Sequence, residues 1–522
     1  SMPGRRALLL AFLGSWLPLL EGARILTVVL YGGSHYLLMD RVSQILQDHG
    51  HDVSFLQQSD LHFPSGFKRE KTYQTVYWSP PDDFKEEFKK NLDFFTKEAL
   101  LGRNPLTNLL NIMKLFATQC SDLLRRTDLM GSLKNESFDL VVVDGLDLCA
   151  FLIAEKLARP FVAVLGTTFG VTNFGLPEPV SYVPDFHSSL TDRMDFWGRV
   201  TNSLMFFISS LRQWYIHAQF DSTIRENFPE GSRPVLFHLQ QKAELWFVNS
   251  DFAFDFARPL LPNTVYVGGL MAKPVEPIPQ ELEDFIAQFG EAGFVLVALG
   301  SIVNVAQSQQ VLEQMHRAFA QLPQGVIWKC SPSHWPKHVQ LAANVKIMDW
   351  LPQSDLLAHP SIRLFVTHGG MNSVMESIQH GVPMVGIPLF VDQPGNLVRV
   401  EAKHLGVSIP IEQLKAETLA LKMKQVIGDK SYKSAAVAAS IIRRSHPLTP
   451  AQRLVGWIDH ILQTGGAAHL KPHAFQQSWY EQYLLDIFLF LLGVTLGTVW
   501  LCGKLLGLVA RALCGAGKLK KA

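Results

Sequence analysis

The segment 350–393 combines residue types that could hold a nucleotide diphosphate. Residues 364–367 (LFVT) form an apolar run typical of a buried strand, and a tight turn containing His368 and Gly370 follows it directly. Glycine lets the backbone approach a ligand closely, because it carries no side chain. His368 could add a hydrogen-bond donor or a positive charge beside such a ligand.

Asn372 and Ser373 stand in the first turn of the helix predicted after this glycine turn. The free backbone N–H groups and the dipole at that helix end favour a phosphate. Glu376 lies one turn further on the same face and could accept hydrogen bonds from ribose hydroxyls. Trp350 offers a flat face for a base, and Gln353 both donates and accepts, as the edge of uracil requires.

Asp392 and Gln393 follow another buried strand and could supply polar groups for a sugar. Ser301 follows the apolar run 294–299 and could place a hydroxyl near phosphates. Taken singly, each of these residues would more often be structural: a histidine or tryptophan in a core, a glutamate on a solvated helix face. The ordered combination of these types is far more specific than any one of them.

Buried-strand and helical patterns alternate on both sides of this segment. The opening reads as a βαβ unit, with a strand at 25–30, a helix at 36–47 and a strand at 53–56. Further strands are predicted at 138–143, 160–165, 294–299, 326–329, 345–348, 364–367 and 384–387. The proline-rich stretch 273–279 reads as a linker. The pattern predicts an α/β protein with two doubly wound domains facing a cleft, in which ligands bind beyond the carboxyl ends of the strands.

One stretch of this body, 194–216, is apolar and amphipathic at helical spacing. It could form the wall of an apolar pocket or a patch that lies on a membrane. We favour the third interpretation, an ordinary core helix.

Composition excludes several classes of protein. The chain has 522 residues, with 47 Lys plus Arg, 46 Asp plus Glu and a formal net charge of +1, which argues against general nucleic-acid binding. Hydrophobic residues make up 48%, so the chain is not disordered. The five cysteines form no CxxC pair; we therefore expect no zinc site and favour buried free thiols, while pairing among Cys120, Cys149 and Cys330 stays open.

The two ends of the sequence suggest where in the cell the protein is located. A short basic region and an apolar run predict a secretory signal at 1–22, and the apolar run 484–504 predicts a single membrane helix. The basic tail 505–522 should be cytosolic and the body lumenal. The tail ends in KLKKA, which either resembles the lysine-based retrieval signal of the endoplasmic reticulum or is a solvated basic end. Asn135, in Asn-Glu-Ser, is a glycosylation acceptor motif.

The segment 350–393 resembles the signature of the UDP-glycosyltransferases. The matching positions are FVTHGG (365–370), Ser373, Glu376, Pro383, Pro388, Asp392 and Gln393. The likeness extends along the whole chain, and residues 32–51 and 452–466 look most similar to the family 3 branch. Val391 departs from the pattern, because the family usually has Gly or Ala there. Its bulk either alters the sugar preference or is harmless packing.

The resemblance implies the architecture called GT-B, in which two Rossmann-like domains face a cleft. It implies an acceptor-binding domain at 23–272, a linker at 273–283 and a UDP-sugar-binding domain at 284–450, followed by helices and a juxtamembrane segment at 451–483.

The resemblance also implies that His35 is the catalytic histidine and Asp144 its partner. Elementary chemistry agrees with these roles. His35 follows the first strand at the start of a helix, whose positive end disfavours imidazolium and so helps to keep a base neutral. Asp144 ends the strand of FDLVVVD, where a carboxylate could hold the other ring nitrogen and stabilise the charge that forms.

No Asp-X-Asp motif occurs in the sequence, although the metal-dependent glycosyltransferase design needs one to hold a cation on the diphosphate. We therefore expect no metal and no cofactor, with the UDP-sugar as a co-substrate. His368, the helix amides and Ser301 would then meet the charge of the leaving group.

The resulting hypothesis is an inverting transferase in the membrane of the endoplasmic reticulum, with His35 as general base. It would move glucose, xylose or N-acetylglucosamine from a UDP-sugar to a hydroxyl of a small lipophilic acceptor, as in steroid and xenobiotic conjugation. A UDP-glucuronosyltransferase and a catalytically idle nucleotide-sugar-binding partner of other glycosyltransferases are the alternatives. A dinucleotide enzyme is set aside, because YGGSHY stands where its GxGxxG would be. The acceptor and the oligomeric state, as a homo- or hetero-oligomer, stay open.

Overall fold

Two parallel β-sheets form the main body of the protein. The computed structural model describes residues 22–59, 71–103, 106–168 and 174–519, and a first compact unit extends to Leu470. Most of the predicted signal, together with Lys520 and Lys521 of the predicted retrieval motif, lies outside the described residues.

The amino-terminal sheet has seven described strands in the order β3-β2-β1-β4-β5-β6-β7, all parallel. The strands are β1 (Arg24–Val28), β2 (Asp52–Gln58), β3 (Gln74–Trp78), β4 (Leu140–Asp144), β5 (Phe161–Leu165), β6 (Trp246–Val248) and β7 (Thr264–Tyr266). Ile25 of β1 pairs with Val53 on one side and with Leu140 on the other. The central strands are continuous apolar runs because helices cover both faces of the sheet.

The helices of this half follow the strands in α/β alternation. They are α1 (Ser34–Asp48), α2 (Asp82–Leu100), α3 (Leu106–Arg125), α4 (Thr127–Asn135), α5 (Leu148–Leu157), α6 (Phe196–Ala218), α7 (Asp221–Asn227) and α8 (Leu236–Gln241). The side chain of Asp147 caps α5 by accepting hydrogen bonds from the backbone N–H groups of Cys149 and Ala150.

The carboxyl-terminal sheet has six described strands in the order β10-β9-β8-β11-β12-β13, again all parallel. They are β8 (Phe294–Ala298), β9 (Gly325–Lys329), β10 (Val345–Met348), β11 (Ile362–Thr367), β12 (Met384–Gly386) and β13 (Gly406–Ser408). The helices are α9 (Gln280–Ala287), α10 (Gln309–Phe319), α11 (Gln353–Ala358), α12 (Met371–Gln379), α13 (Gln393–Ala402), α14 (Ala416–Gly428), α15 (Lys430–Arg444) and α16 (Pro450–Thr464).

This architecture confirms the predicted α/β class with two doubly wound sheets, and every strand that the sequence predicts is present. The sequence patterns did not predict four of the described strands: β3, β6, β7 and β13. Three of them are only three residues long. A run that short shows no periodicity, and its place in the sheet depends on long-range pairing.

Helix α6 corrects the expectation of a core helix at 194–216. Its buried side chains are the polar Asn202 and Ser209, whereas Trp197, Phe207 and Trp214 are exposed. The helix therefore turns its polar face inward. Its apolar face is left without cover from the described residues of this unit.

A disulfide corrects the expectation of free thiols. Cys120 of α3 and Cys149 of α5 are bonded, whereas Cys330 is buried and free. The bond joins two helices that pack on the same face of the amino-terminal sheet.

The second compact unit comprises residues 471–522, and its described part includes the α-helices α17 (Trp479–Gln482) and α18 (Leu485–Leu519). Within α18, Leu485–Leu513 is long and apolar enough to cross a membrane, with a mean hydropathy of 2.1. The predicted span 484–504 falls largely within this helix, which continues without a break to Leu519.

We predict that the Cys120–Cys149 bond stabilises the amino-terminal half. The two cysteines are 29 residues apart, and closing a loop of that length in the unfolded chain contributes about 3.5 kcal/mol to stability. Changing both cysteines to alanine should lower the urea midpoint for unfolding of this half, measured by tryptophan fluorescence. Under reducing conditions the variant and the native chain should unfold together; an equal gap with and without reductant would contradict the prediction.

Candidate active site

A cleft of about 2090 Å³ lies between the two sheets and is lined by residues of both halves. The carboxyl ends of the parallel strands open into it, which is where α/β sheets bind ligands. His35 follows β1, Ser301 follows β8 and His368 follows β11, and all three line the cleft. The predicted cleft is therefore present.

His35 and Asp144 form a hydrogen-bonded pair on the amino-terminal side of the cleft. His35 Nδ1 lies 2.8 Å from Asp144 Oδ2, and Asp144 is fully buried at the end of β4. Asp144 Oδ1 accepts a hydrogen bond of 2.9 Å from the backbone N–H of Leu146, so the carboxylate is held at both oxygens. A proton on Nδ1 then leaves Nε2 of His35 as the basic nitrogen.

The charges around His35 set its pKa. Burial lowers this pKa, but the charge and hydrogen bond of Asp144, with smaller contributions from Asp392 and Asp147, raise it more, and the net direction is upward from 6.5. This net direction is opposite to the lowering of the pKa that the positive helix end alone would give. The carboxylates raise the pKa of His35 more than burial lowers it, because they lie close together within a low-dielectric cleft.

Asp147 fixes the loop between β1 and His35. Its Oδ2 accepts a hydrogen bond of 2.8 Å from the backbone N–H of Leu30, while its Oδ1 caps α5. Burial and the neighbouring Asp144 raise the pKa of Asp147 to about 7, against the opposing effect of its backbone hydrogen bonds. One buried carboxyl thus ties the loop after the first strand to the segment that follows Asp144.

The two halves touch beside His35. Gly33 has a φ of 65°, and a β-carbon there would stand 3.1 Å from the Oγ of Ser301, so the first loop fits only with glycine. Asn372, at the start of α12, donates to the carbonyl of Ser34 over 3.4 Å and accepts from Asn249 over 2.9 Å. Asn372, predicted as a donor-site residue, thus also joins the halves, and Asn249 is a contact that the sequence patterns missed.

His368 is held between two glycines. A β-carbon at Gly300 would lie 2.5 Å from His368 Nε2, and one at Gly370 would lie 2.7 Å from the same atom, so neither position admits a side chain without displacing the imidazole. Burial, with help from the positive charge of Lys329, lowers the pKa of His368 to about 4. Of the two roles predicted for His368, hydrogen-bond donor and positive charge, this pKa favours the first near neutral pH.

Lys329 brings a positive charge into the cleft that the sequence analysis missed. It ends β9, its Nζ donates to the carbonyl of Gly300 over 2.8 Å, and it lies 4.9 Å from the centre of the Trp350 ring. Burial lowers its pKa to about 8, so it is largely charged at neutral pH. Among the described residues no carboxylate is within ion-pair distance of it. Its place at the carboxyl end of a predicted strand was the signal that could have identified it.

Gln353, Ser373 and Glu376 form one hydrogen-bonded group. The side-chain nitrogen of Gln353 donates to Glu376 Oε2 over 2.5 Å and to Ser373 Oγ over 3.1 Å. Burial raises the pKa of Glu376 to about 7, although Gln353 opposes the shift. The spacing that the sequence predicted for a nucleotide-binding face is thus matched by contacts between the side chains.

Asp392 and Gln393 also line the cleft. Asp392 Oδ2 accepts a hydrogen bond of 2.8 Å from Asn396, and burial raises the pKa of Asp392 despite that bond and the nearby His35. The side-chain oxygen of Gln393 accepts hydrogen bonds from the backbone N–H groups of residues 389 and 390. Val391 has a φ of 55°, a strained value for a β-branched residue, and its side chain lines the cleft.

Aromatic side chains cover the wall of the cleft that leads to His35. Tyr31 contacts His35 edge-on with 5.7 Å between ring centres and packs on Phe116 at 4.2 Å, and Phe88 lies 5.4 Å from Phe116. Phe84 continues the row. Phe84 and Phe88 come from α2, Phe116 from α3 and Tyr31 from the loop after β1, where the sequence patterns gave no pocket.

One group of described side chains could hold a metal ion, and none of its members lines the cleft. His49, His51 and Asp459 offer atoms within 4.8 Å of one another. The backbone N–H of Ala23 donates to His51 Nδ1, so the proton of neutral His51 sits on Nε2, facing Asp459 at 3.2 Å. That proton occupies the place that a metal would need, and we interpret the group as a polar link between α16 and the amino-terminal sheet.

The structure thus gathers almost all of the predicted site residues. Those that line the cleft are His35, Ser301, Trp350, Gln353, His368, Gly370, Asn372, Ser373, Glu376, Asp392 and Gln393. Asp144 stands directly behind His35. Asn135 lies apart from them, exposed at the end of α4.

Comparisons with known proteins agree with this arrangement. The family described as "UDP-glucoronosyl and UDP-glucosyl transferase" matches residues 23–520. The chain is 67% identical over 522 residues to UDP-glucuronosyltransferase 3A2 of Homo sapiens and 67% identical over 523 residues to UDP-glucuronosyltransferase 3A1 of Bos taurus, covering 100% of both chains in each case.

Among solved structures, the chain is similar to the glycotransferase of kitacinnamycin, with a TM-score of 0.58 and 17% identity over 84% of this chain and 99% of that one. This likeness supports the GT-B fold alone. The family match and the relatives decide the identity: the chain belongs to the UDP-glycosyltransferases and is similar to their family 3 branch.

Proposed function

We propose that this glycosyltransferase is an inverting enzyme in which His35 acts as the general base. The observation that carries the proposal is the 2.8 Å contact between His35 Nδ1 and the buried Asp144, in a cleft that the proposed donor-site residues also line. Asp144 orients the imidazole and stabilises the charge that forms on it.

The reaction then proceeds in one displacement. His35 Nε2 takes the proton of an acceptor hydroxyl as the hydroxyl oxygen attacks the anomeric carbon of the UDP-sugar. The new bond forms on the face opposite the departing UDP, so the configuration at that carbon inverts. The His35–Asp144 pair carries the proton until solvent or product removes it.

The cradle for the leaving UDP is built from the carboxyl-terminal half. We propose that the start of α12, the hydroxyl of Ser301 and a hydrogen bond from neutral His368 meet the diphosphate. Lys329 supplies the positive charge that His368 lacks, because its half-buried ammonium has no described carboxylate partner. With these groups in place, the proposed chemistry calls for no metal ion.

We propose that Trp350 and Gln353 meet the base, while Ser373 and Glu376 meet the ribose. Gln353, Ser373 and Glu376 are already hydrogen-bonded to one another, so the uridine would exchange these contacts rather than create them from solvated groups.

The acceptor side of the cleft suits a flat, lipophilic molecule carrying a hydroxyl. Tyr31, Phe88 and Phe116 offer apolar ring faces that end at His35. Phenols and steroids combine such a body with one hydroxyl group, and we propose them as the acceptor class.

For the donor we propose UDP-glucose, UDP-xylose or UDP-N-acetylglucosamine. Asp392 lies beside His35 in the proposed sugar site and would repel a sugar carboxylate. Arg399, the cation on the same helix as Gln393, is committed to Asp255 over 2.8 Å. Val391 adds bulk at this place. UDP-glucuronate is the alternative, which the names of the human and bovine relatives favour.

We also propose the domain limits given by the sequence: an acceptor domain at 23–272, a linker at 273–283, and a donor domain at 284–450. Helix α18 would anchor the protein in the membrane of the endoplasmic reticulum with the body in the lumen. The disulfide supports this compartment, since such bonds persist in oxidising environments, and the exposed Asn135 suits glycosylation there.

Changing His35 to alanine should lower kcat by about 10²–10⁴, because the acceptor proton loses its base. The affinity for UDP should stay within about twofold, because the proposed cradle is on the other half. The full chain would be assayed in detergent with a phenolic acceptor and each candidate donor. His49→Ala, an exposed histidine of the same half outside the cleft, is the control and should keep full activity. Full turnover by the His35 variant would remove His35 from its role.

A donor panel should separate the two sugar hypotheses. Radiolabelled UDP-glucose, UDP-xylose, UDP-N-acetylglucosamine and UDP-glucuronate would be offered with one acceptor at equal concentration. At least one of the first three should exceed UDP-glucuronate by about tenfold or more in kcat/KM, because an unpaired carboxylate is costly beside Asp392. Highest activity with UDP-glucuronate would replace the proposed donor class and leave the role of His35 untouched.

A further inference from the structure

Helix α2 (Asp82–Leu100) follows the amino-terminal strand β3, but its last turns pack into the carboxyl-terminal half. Leu100 is buried in the apolar core of the second sheet, in one cluster with Val295 of β8. The hydroxyl of Thr96 donates a hydrogen bond to the side-chain oxygen of Gln307 over 2.9 Å. The end of α2 is therefore a bridge between the two halves of the protein.

Phe95 is the residue of this bridge that meets the proposed donor site. Its side chain is 7% exposed and lines the cleft, and its ring centre lies 5.2 Å from that of Phe390 at an angle of 56° between the rings. This distance is typical of attractive aromatic pairs. The adjacent Phe94 is 50% exposed and is not among the residues that line the cleft. Two neighbouring phenylalanines of one helix thus have different environments.

Phe390 lies in segment 388–393, whose backbone has to be held in place. Val391 has a φ of 55°, and a β-branched residue keeps such a conformation only where its surroundings fix it. From the carboxyl-terminal half, the side-chain oxygen of Gln393 accepts hydrogen bonds from the N–H groups of residues 389 and 390 over 2.9 Å and 3.1 Å. The ring of Phe95 adds a contact to the same segment from the amino-terminal half.

From these contacts we infer that Phe95 is a positioning residue for the donor sugar, which acts by holding segment 388–393 through the ring of Phe390. The inference rests on the proposed sugar site at Asp392. Its consequence is that a residue of the acceptor half helps to set the choice of donor. Without the ring of Phe95 the segment gains other conformations, and the site discriminates less among sugars. The proposed uridine contacts at 350–376 belong to other segments and are kept.

Equilibrium binding to the full chain in detergent tests this inference. Isothermal titration calorimetry without acceptor would give the Kd for UDP and for UDP-glucose, UDP-xylose, UDP-N-acetylglucosamine and UDP-glucuronate. We call the ratio of the weakest to the tightest Kd among the four UDP-sugars the donor spread. Phe95→Leu is compared with Phe94→Leu, the same substitution at the next position of the same helix. Binding needs no base, so the result is independent of the proposed role of His35.

Phe95→Leu should reduce the donor spread by about threefold or more, because a loosened site rejects the wrong sugars less strictly. The Kd for UDP should stay within about twofold of the native value, because the uridine contacts are independent of this segment. Phe94→Leu should keep the native donor spread. A native donor spread in Phe95→Leu would overturn the inference, and so would an equal weakening of UDP and all four UDP-sugars. Equal binding of the four UDP-sugars by the native chain would overturn the proposed donor selectivity as well.

A double-mutant cycle tests whether Phe95 acts through Phe390. Phe390→Leu should reduce the donor spread as Phe95→Leu does, and the double variant should reduce it no further, because both changes remove the same contact. Additive reductions would mean that Phe95 acts by another route and would overturn the inference. Phe95→Met, which fills a similar volume, should change the donor spread in the same direction at near-native thermal stability, and so separates positioning from loss of the fold.

Discussion

The hydrogen bond between His35 and Asp144 is the interaction on which this account depends, and parallel strand order makes it possible. β1 and β4 are neighbours in the sheet, so the loop after one and the last residue of the other meet at the same edge. Their side chains are 109 positions apart in the chain and 2.8 Å apart in space. The second sheet has the same arrangement: the loops after its neighbouring parallel strands β8 and β11 bring Ser301 and His368 to the edge that faces the first sheet.

Burial of charge gives the cleft its chemistry. Asp144, Asp147 and Asp392 surround one imidazole, and together they outweigh the desolvation that would otherwise lower its pKa. On the facing side the balance is reversed, because desolvation and the cation Lys329 both lower the pKa of His368. Two histidines in one cleft thus differ in pKa because one lies among carboxylates and the other beside Lys329. The two sides of α6 also differ: its polar side is hydrogen-bonded inward, whereas its apolar side is exposed.

The sequence predicts the fold and most of the site because both depend on local patterns. Apolar runs bounded by glycine identified the long strands, and the spacing from His368 to Gln393 identified one face of the cleft. What it missed depends on long-range contacts. The inverted helix α6 has the periodicity of a core helix, and only the position of Asn202 against residues 180–185 shows which side faces inward. The role of Lys329 could not be predicted, because it depends on contacts with Gly300 and Trp350 that form only when the second sheet folds.

The pH dependence of kcat/KM for the native enzyme and for Asp144→Asn tests the central pairing most directly. A base works when it is neutral, so activity should rise with pH through the pKa of His35, with a midpoint above 6.5 in the native enzyme because the carboxylates raise that pKa. Asparagine keeps the shape but removes the charge; the midpoint should therefore move to lower pH while the plateau falls. An acid limb that stays in place in Asp144→Asn would contradict the pairing as the source of the base.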